Sequence, residues 1–175
     1  MPTRPGNVLK FCPKCGSNHF IYDNHRSFLC QSCGFNLYIN SSSAVAAIIE
    51  NENGEILLTV RAFDPAKGKL DLPGGFVDPM ESAEEAVVRE IKEELNLDIV
   101  EMKYLTSFPN EYIFKGYSVY TTDMAFVCKV VDFNAITSKD DISGYKFVAP
   151  KEIDFTVISS DSIRDILKFY ISPKA

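Results

Sequence analysis

Residues 72–97 read LPGGFVDPMESAEEAVVREIKEELNL, and this stretch decides the fold. It opens with the turn signal Pro73-Gly74-Gly75 and carries a second proline at 79. Ser82 and Glu85 have the S-x-x-E spacing of a capping box, which predicts a helix with Ser82 as its N-cap. Ala83, Ala86, Val87, Val88, Ile91 and Leu95 follow at helical spacing. With Ala83 set at zero and each residue turned about 100° from the last, these side chains span an arc from about 300° to about 140°. Glu85, Arg89, Lys92 and Asn96 fall opposite, where a solvated face belongs. Glu90 and Glu94 fall inside the apolar arc, and Glu93 borders it. Glu84 also falls inside the arc, but at the first turn, where a side chain can escape past the helix end.

Two carboxylates one turn apart, with a third beside them, repel one another and lose hydration on a half-buried face. A divalent cation removes both costs, and hard oxygen ligands suit Mg²⁺ or Mn²⁺. A generic E-x-x-E-E is more often a solvated helix face. Here the angular placement and the glycine turn just upstream favour the metal reading.

The same residues carry a resemblance. Gly75, Glu81 and the run Arg89-Glu90-Ile91-Lys92-Glu93-Glu94-Leu95-Asn96-Leu97 resemble the Nudix box, G-x5-E-x7-R-E-U-x-E-E-x-G-U, where U is aliphatic. Every charged position matches at its spacing. Asn96 stands where the box has its last glycine, and Asn is the next residue able to take the left-handed helix end. The resemblance implies an α/β/α sandwich with a mixed sheet, and metal-dependent hydrolysis of a diphosphate. It implies Glu90 and Glu94 as ligands of Mg²⁺ (or Mn²⁺), with Glu93 a ligand or a water-mediated partner. Gly74 would offer its carbonyl to the metal. Arg89 would orient Glu90 and Glu93, and Glu81 would be an added ligand or proton acceptor. Asp140 and Asp141 are candidates for the general base, Glu111 a third, and their alternative is that of solvated loop acids.

The first forty residues form a separate pattern. Cys12-x2-Cys15 and Cys30-x2-Cys33 are separated by fourteen residues, and Gly16 and Gly34 follow the pairs. Paired knuckles of this kind converge four thiolates on structural Zn²⁺. The expected organisation is therefore a zinc ribbon over residues 1–40 and a Nudix-type α/β domain over 41–175. That layout is similar to the NADH diphosphatase group. Of that group's S-Q-P-W-P-F-P-x-S motif, the stretch from Ser107 to Tyr112 keeps a Ser and a Pro. Residues 107–116 read as a loop, in which Phe108, Tyr112 and Phe114 either stack on a base or serve as core.

Around these motifs, residues 44–50, 55–61 and 117–131 read as strands, with a hairpin turn at 51–54. Residues 132–145 read as a polar loop, and a last helix capped by Ser160 or Asp161 runs to about Ile171. Cys128, among apolar neighbours, reads as a buried inert thiol. The chain has 175 residues and is 46% hydrophobic, enough for one ordinary domain and a small module. Its net charge of −6 argues against nucleic-acid binding by the whole surface and fits cations as intermediaries to an acidic substrate. The N-terminal stretch lacks the apolar core of a secretory signal, and no run is long enough to span a membrane. These features give the expectation of a cytoplasmic enzyme acting on a small nucleotide, with a homodimer left open. The competing reading is a non-catalytic nucleotide-sensing or interaction module.

Overall fold

The computed structural model describes residues 2–172; Met1 and residues 173–175, the extremes of the two expected domains, lie outside the described residues. The chain divides into two compact units, one of residues 1–41 with 111–120, the other of residues 42–110 with 121–175.

The first unit starts with a single helical turn, α1 (Pro5–Val8), and continues with strands β1 (Phe20–Tyr22), β2 (Ser27–Cys30) and β3 (Asn36–Tyr38). These pair antiparallel in the order β1-β2-β3. One face of the small sheet buries Phe20 and Phe28, whose rings stack at 4.7 Å, with Cys12 and Cys30 beside them.

The second unit is a three-layer sandwich, and its middle layer explains the sequence pattern. Strands β4 (Ser42–Ile49), β5 (Ile56–Arg61) and β6 (Leu70–Asp71) come first, then helix α2 (Ala83–Leu95). The long strands β7 (Ile99–Phe114) and β8 (Tyr117–Val130) follow, then β9 (Ile142–Val148) and helix α3 (Asp161–Ile171). The sheets are ordered β4-β8-β7 and β6-β5-β9. β4 runs parallel to β8, and β5 runs antiparallel to β6 and β9, so the unit is mixed. β4 is buried on both faces, which is why it reads as a continuous apolar run rather than an alternation. Val45, Ala47 and Ile49 pack with Ala86, Val87, Ile91 and Leu95 of α2. The intervening Ala46 and Ile48 pack with Ile163, Ile166 and Leu167 of α3. Ser160 caps α3 through its hydroxyl, and Cys128 is buried in the α2-side core with its thiol pushed up to about 12 by burial.

Three expectations need correcting. Residues 107–116 are not a loop: β7 runs unbroken to Phe114 and turns back through Lys115 and Gly116, both at positive φ. The polar loop after β8 is shorter than expected, because β9 begins at Ile142. Val88, placed in the apolar arc of α2, is exposed.

Candidate functional site

The acids are positioned by both ends of α2 and by the turn that precedes it. Ser82 and Glu85 form the full capping box: the Ser82 hydroxyl accepts from the Glu85 amide and the Glu85 carboxylate accepts from the Ser82 amide. Asn96 ends the helix at φ 55°, the left-handed conformation its side chain permits, and its amide donates to the Ile91 and Lys92 carbonyls. Between these ends the angular reading of the acids holds. Glu94 is 5% exposed, while the Glu93 side chain is 48% exposed. The Glu90 side chain lies between them at 14%.

Arg89 gathers three of these groups. Its Nε and Nη2 donate to the two oxygens of Glu81 at 2.8 and 2.9 Å, a bidentate clamp. Nη1 donates to Glu90 at 2.8 Å and to Glu93 at 3.2 Å, and Nη2 also reaches the Phe76 carbonyl at 3.0 Å. This clamp holds the Glu81 carboxyl down at about 2, and Arg89 is held more firmly charged in return.

Glu94 lies on the other side of the cluster and is held by backbone. The Gly74 amide donates to its Oε2 at 3.1 Å. Gly74 sits at φ 142°, and a Cβ there would lie 2.2 Å from the Val45 carbonyl oxygen. A Cβ on Gly75 would meet the Glu90 carboxylate at 2.5 Å. Gly74 is therefore required by the backbone itself, while a side chain at Gly75 would displace the Glu90 carboxylate from its place. Burial pushes the Glu94 carboxyl up to about 8 against the Gly74 hydrogen bond, and the charges of Glu90, Asp71 and Asp141 add to the rise. Burial also raises Glu90, against the pull of Arg89.

The expected base candidates approach the same place. The Lys139 amide donates to the Glu94 carbonyl at 3.0 Å, and the Thr137 amide donates to the Leu95 carbonyl at 3.1 Å, which ties the loop before β9 to the end of α2. Asp140 lies near enough for its charge to act on Glu90, and Asp141 near enough to act on Glu94. Phe108 is placed elsewhere: it packs on the α3 side of the sheet, edge-on to Phe169 at 6.3 Å. Tyr112 and Glu111 lie in the hairpin segment that groups with the first unit. Sequence reasoning did not single out Asp71, a half-buried acid whose charge reaches Glu94; a single Asp at the end of a two-residue strand leaves no periodic signal.

The two donor sets suit different metals. The Sγ atoms of Cys12, Cys15, Cys30 and Cys33 lie within 4.8 Å of one another, with Cys12–Cys33 at 3.8 Å and Cys15–Cys30 at 3.7 Å. A tetrahedron with Zn–S bonds of about 2.3 Å has edges of about 3.8 Å, so the four thiols fit Zn²⁺. The Gly16 and Gly34 amides close matching turns onto the Cys12 and Cys30 carbonyls. Among the described residues, only these four side chains converge that closely. The carboxylates of α2 stand farther apart, spread over Arg89 and the Gly74 amide, yet their hard oxygens, and at Glu90 and Glu94 the cost of charge that raises the pKa, suit a divalent cation such as Mg²⁺.

Comparison with known proteins agrees with this geometry. The family model described as NUDIX domain matches residues 41–166. An ADP-ribose pyrophosphatase of Methanocaldococcus jannaschii is 54% identical over 63 residues, covering 36% of this chain and 37% of that protein. An NAD-capped RNA hydrolase NudC of Stutzerimonas stutzeri is 30% identical over 115 residues, covering 63% of this chain and 41% of that protein. The chain thus spans about two fifths of the length of these curated relatives. The crystal structure of a NUDIX hydrolase from Nitrosomonas europaea superposes with a TM-score of 0.68 at 27% identity, over 91% of this chain and 89% of that one.

Proposed function

The chain belongs to the NUDIX domain family, and from that premise we propose that it hydrolyses the pyrophosphate bond of a nucleoside diphosphate derivative with the help of a divalent cation. ADP-ribose and NAD-type dinucleotides are the candidate substrates, a choice supported by the activities named for two of its relatives. The observation that carries the reading is the placement of Glu90 and Glu94 on the half-buried face of α2, against a turn that only glycine can form.

In this reading Glu90, Glu94 and the Gly74 carbonyl hold Mg²⁺ or Mn²⁺, and Glu93 supports them from the exposed edge. The cation supplies charge neutralisation at the phosphate oxygens and a more acidic bound water. Arg89 is the orienting residue, because its donors are already committed to Glu81, Glu90, Glu93 and Phe76. A carboxylate held at about 2 is a poor proton acceptor near neutrality, so Glu81 acts as Arg89's anchor and as an added ligand. The base is assigned to Asp140 or Asp141. Of the three aromatic candidates for base stacking, Phe108 packs against the α3-side core, which leaves that role to Tyr112 and Phe114.

The domain division is part of the same proposal: a zinc ribbon over residues 1–40, then the hydrolase over 41–175. So is a cytoplasmic setting, where reduced thiols remain available to metal. No helix of the described residues is long and apolar enough to cross a membrane.

The test is product analysis on ADP-ribose, NADH and nucleoside triphosphates, with and without Mg²⁺ or Mn²⁺. ADP-ribose is expected to give AMP and ribose 5-phosphate only with metal. Absence of hydrolysis on every substrate with either metal would replace this reading with the nucleotide-sensing one.

A further inference from the structure

We propose that Arg61 and Asp71 are a positioning pair for the acidic site: together they fix the entrance to the turn at residues 72–75, and through it the direction in which Glu94 faces a divalent cation. The inference rests on the metal-dependent reading above.

Asp71 ends β6, directly before Leu72-Pro73-Gly74-Gly75. Each polar atom of Asp71's acceptor set has a job. Oδ2 accepts from Arg61 Nη1 at 3.0 Å, and Oδ1 accepts from the Leu72 amide at 2.9 Å. Its backbone carbonyl accepts from the Thr59 hydroxyl at 3.3 Å. Arg61 is fixed in turn by its Nε, which donates to the Pro65 carbonyl at 2.9 Å.

The rest of the turn is held from behind. The Ala47 amide donates to the Pro73 carbonyl and the Val45 amide donates to the Gly75 carbonyl, both at 2.8 Å. β4 thus fixes the Pro73 and Gly75 carbonyls, and Asp71 fixes the Leu72 amide. What remains directed at α2 is the Gly74 amide, on Glu94. The connection from Arg61 to Glu94 runs through three hydrogen bonds and the peptide planes from Leu72 to Gly74.

The location is an unusual one for an acid. Asp71 is close enough for its charge to act on Glu94, which is already crowded by Glu90 and Asp141. A neutral residue at 71 would spare that repulsion. Partly exposed ion pairs are weak stabilisers in any case, since solvent screening and side-chain entropy offset most of their attraction. A stability role alone therefore accounts poorly for the pair. Orientation accounts for it, because hydrogen-bonded groups behind a metal ligand set its direction.

The bland alternative is a staple that closes residues 61–71 with no bearing on the acids. Metal affinity separates the two, because a staple would lower the melting temperature and leave the affinity alone. The experiment is titration of the full chain with Mn²⁺, read by loss of the free-ion EPR signal, beside a thermal melt of each variant. Asp71→Asn and Arg61→Gln are expected to weaken Mn²⁺ binding by about tenfold, the lower end of what outer partners of metal ligands contribute. Arg61→Lys keeps the charge and should fall between Arg61→Gln and wild type. Wild-type affinity in folded Arg61→Gln and Asp71→Asn would overturn the proposal. If Asp71→Asn fails to fold, Arg61→Gln decides alone, since it cuts the pair from its more exposed side. A wild-type chain that binds no Mn²⁺ would instead overturn the metal reading itself.

Discussion

The Glu94 carboxyl stands at about 8 where an ordinary glutamate stands at 4.5, with burial the main cause and neighbouring acids adding to it. Between those values the folded chain, free of Mg²⁺, holds a proton that the unfolded chain has released. Its stability therefore falls as pH rises from about 4.5 to about 8. Glu94→Gln keeps the shape and removes the charge, so its melting temperature should lose that part of the pH dependence. Near pH 8 the variant should be at least as stable as wild type, with a gain of 1 kcal/mol worth about 2–4 °C in a chain of this size. Mg²⁺ should raise the wild-type melt through binding linkage and the variant's much less. Turnover should fall by at least about a hundredfold, the usual cost of losing one preorganised electrostatic group. Melts across pH with and without Mg²⁺, beside turnover on the best substrate, check all three. A variant that melts lower at every pH yet keeps turnover would make Glu94 a structural residue. The angular position of Glu94 was legible in the sequence because one helix sets it. Its hydrogen bond to Gly74 was not, because that depends on β4 holding the turn.

Helix α2 and strand β7 show what local signals can and cannot carry. The helix was readable to the residue at both ends, since a capping box and a left-handed Asn are properties of adjacent residues. The strand was misread, since Pro109, Asn110 and Gly116 are turn signals taken by themselves. What overrides them is position: β7 lies at the edge of its sheet, where a proline can sit without costing a ladder hydrogen bond. The consequence falls on Phe108, which a loop would free to meet substrate and a strand directs into the α3-side core. Phe108→Ala should destabilise by about 1–3 kcal/mol, less than a fully buried Phe because the ring is only partly covered. Its kcat/KM on the best substrate should stay within about twofold of wild type, or within roughly 0.4 kcal/mol of transition-state stabilisation. Denaturant unfolding and steady-state kinetics check the two halves. A stable variant with a large rise in KM would return the ring to the substrate site.

Charge and core size are unevenly distributed along the molecule. Residues 1–41 carry four Lys or Arg and one Asp, a net of +3; the rest of the chain carries fourteen basic and twenty-three acidic residues, a net of −9, and the two sum to the −6 of the whole. The large core belongs to the second unit, whose two clusters cover both faces of β4 and β5. Among the described residues, the hydrophobic cluster of the first unit has four buried members, Cys12, Phe20, Phe28 and Cys30, and two of those four are thiols. The grouping of residues 111–120 with this unit, where the Ser118 amide donates to the Thr3 carbonyl, is a long-range match that no local pattern carried. So small a core offsets little of the entropy cost of ordering the segment's backbone. In such a segment the free energy of binding a structural Zn²⁺ is folding free energy. Protein purified without added metal should therefore contain about one Zn²⁺ per chain, the stoichiometry of a closed four-thiolate site. Chelation should release it, make the four cysteines reactive toward a thiol reagent, and open the chain to trypsin at Lys10, Lys14 and Arg26 before other sites. Cys128, buried and with its thiol pushed up to about 12, should stay unreactive until the second unit unfolds, and so serves as the internal control. Elemental analysis, thiol titration and limited proteolysis read these outcomes in turn. Protein without zinc, or with disulfides joining Cys12, Cys15, Cys30 and Cys33, would mean that the tetrahedral spacing of their sulfurs has another cause.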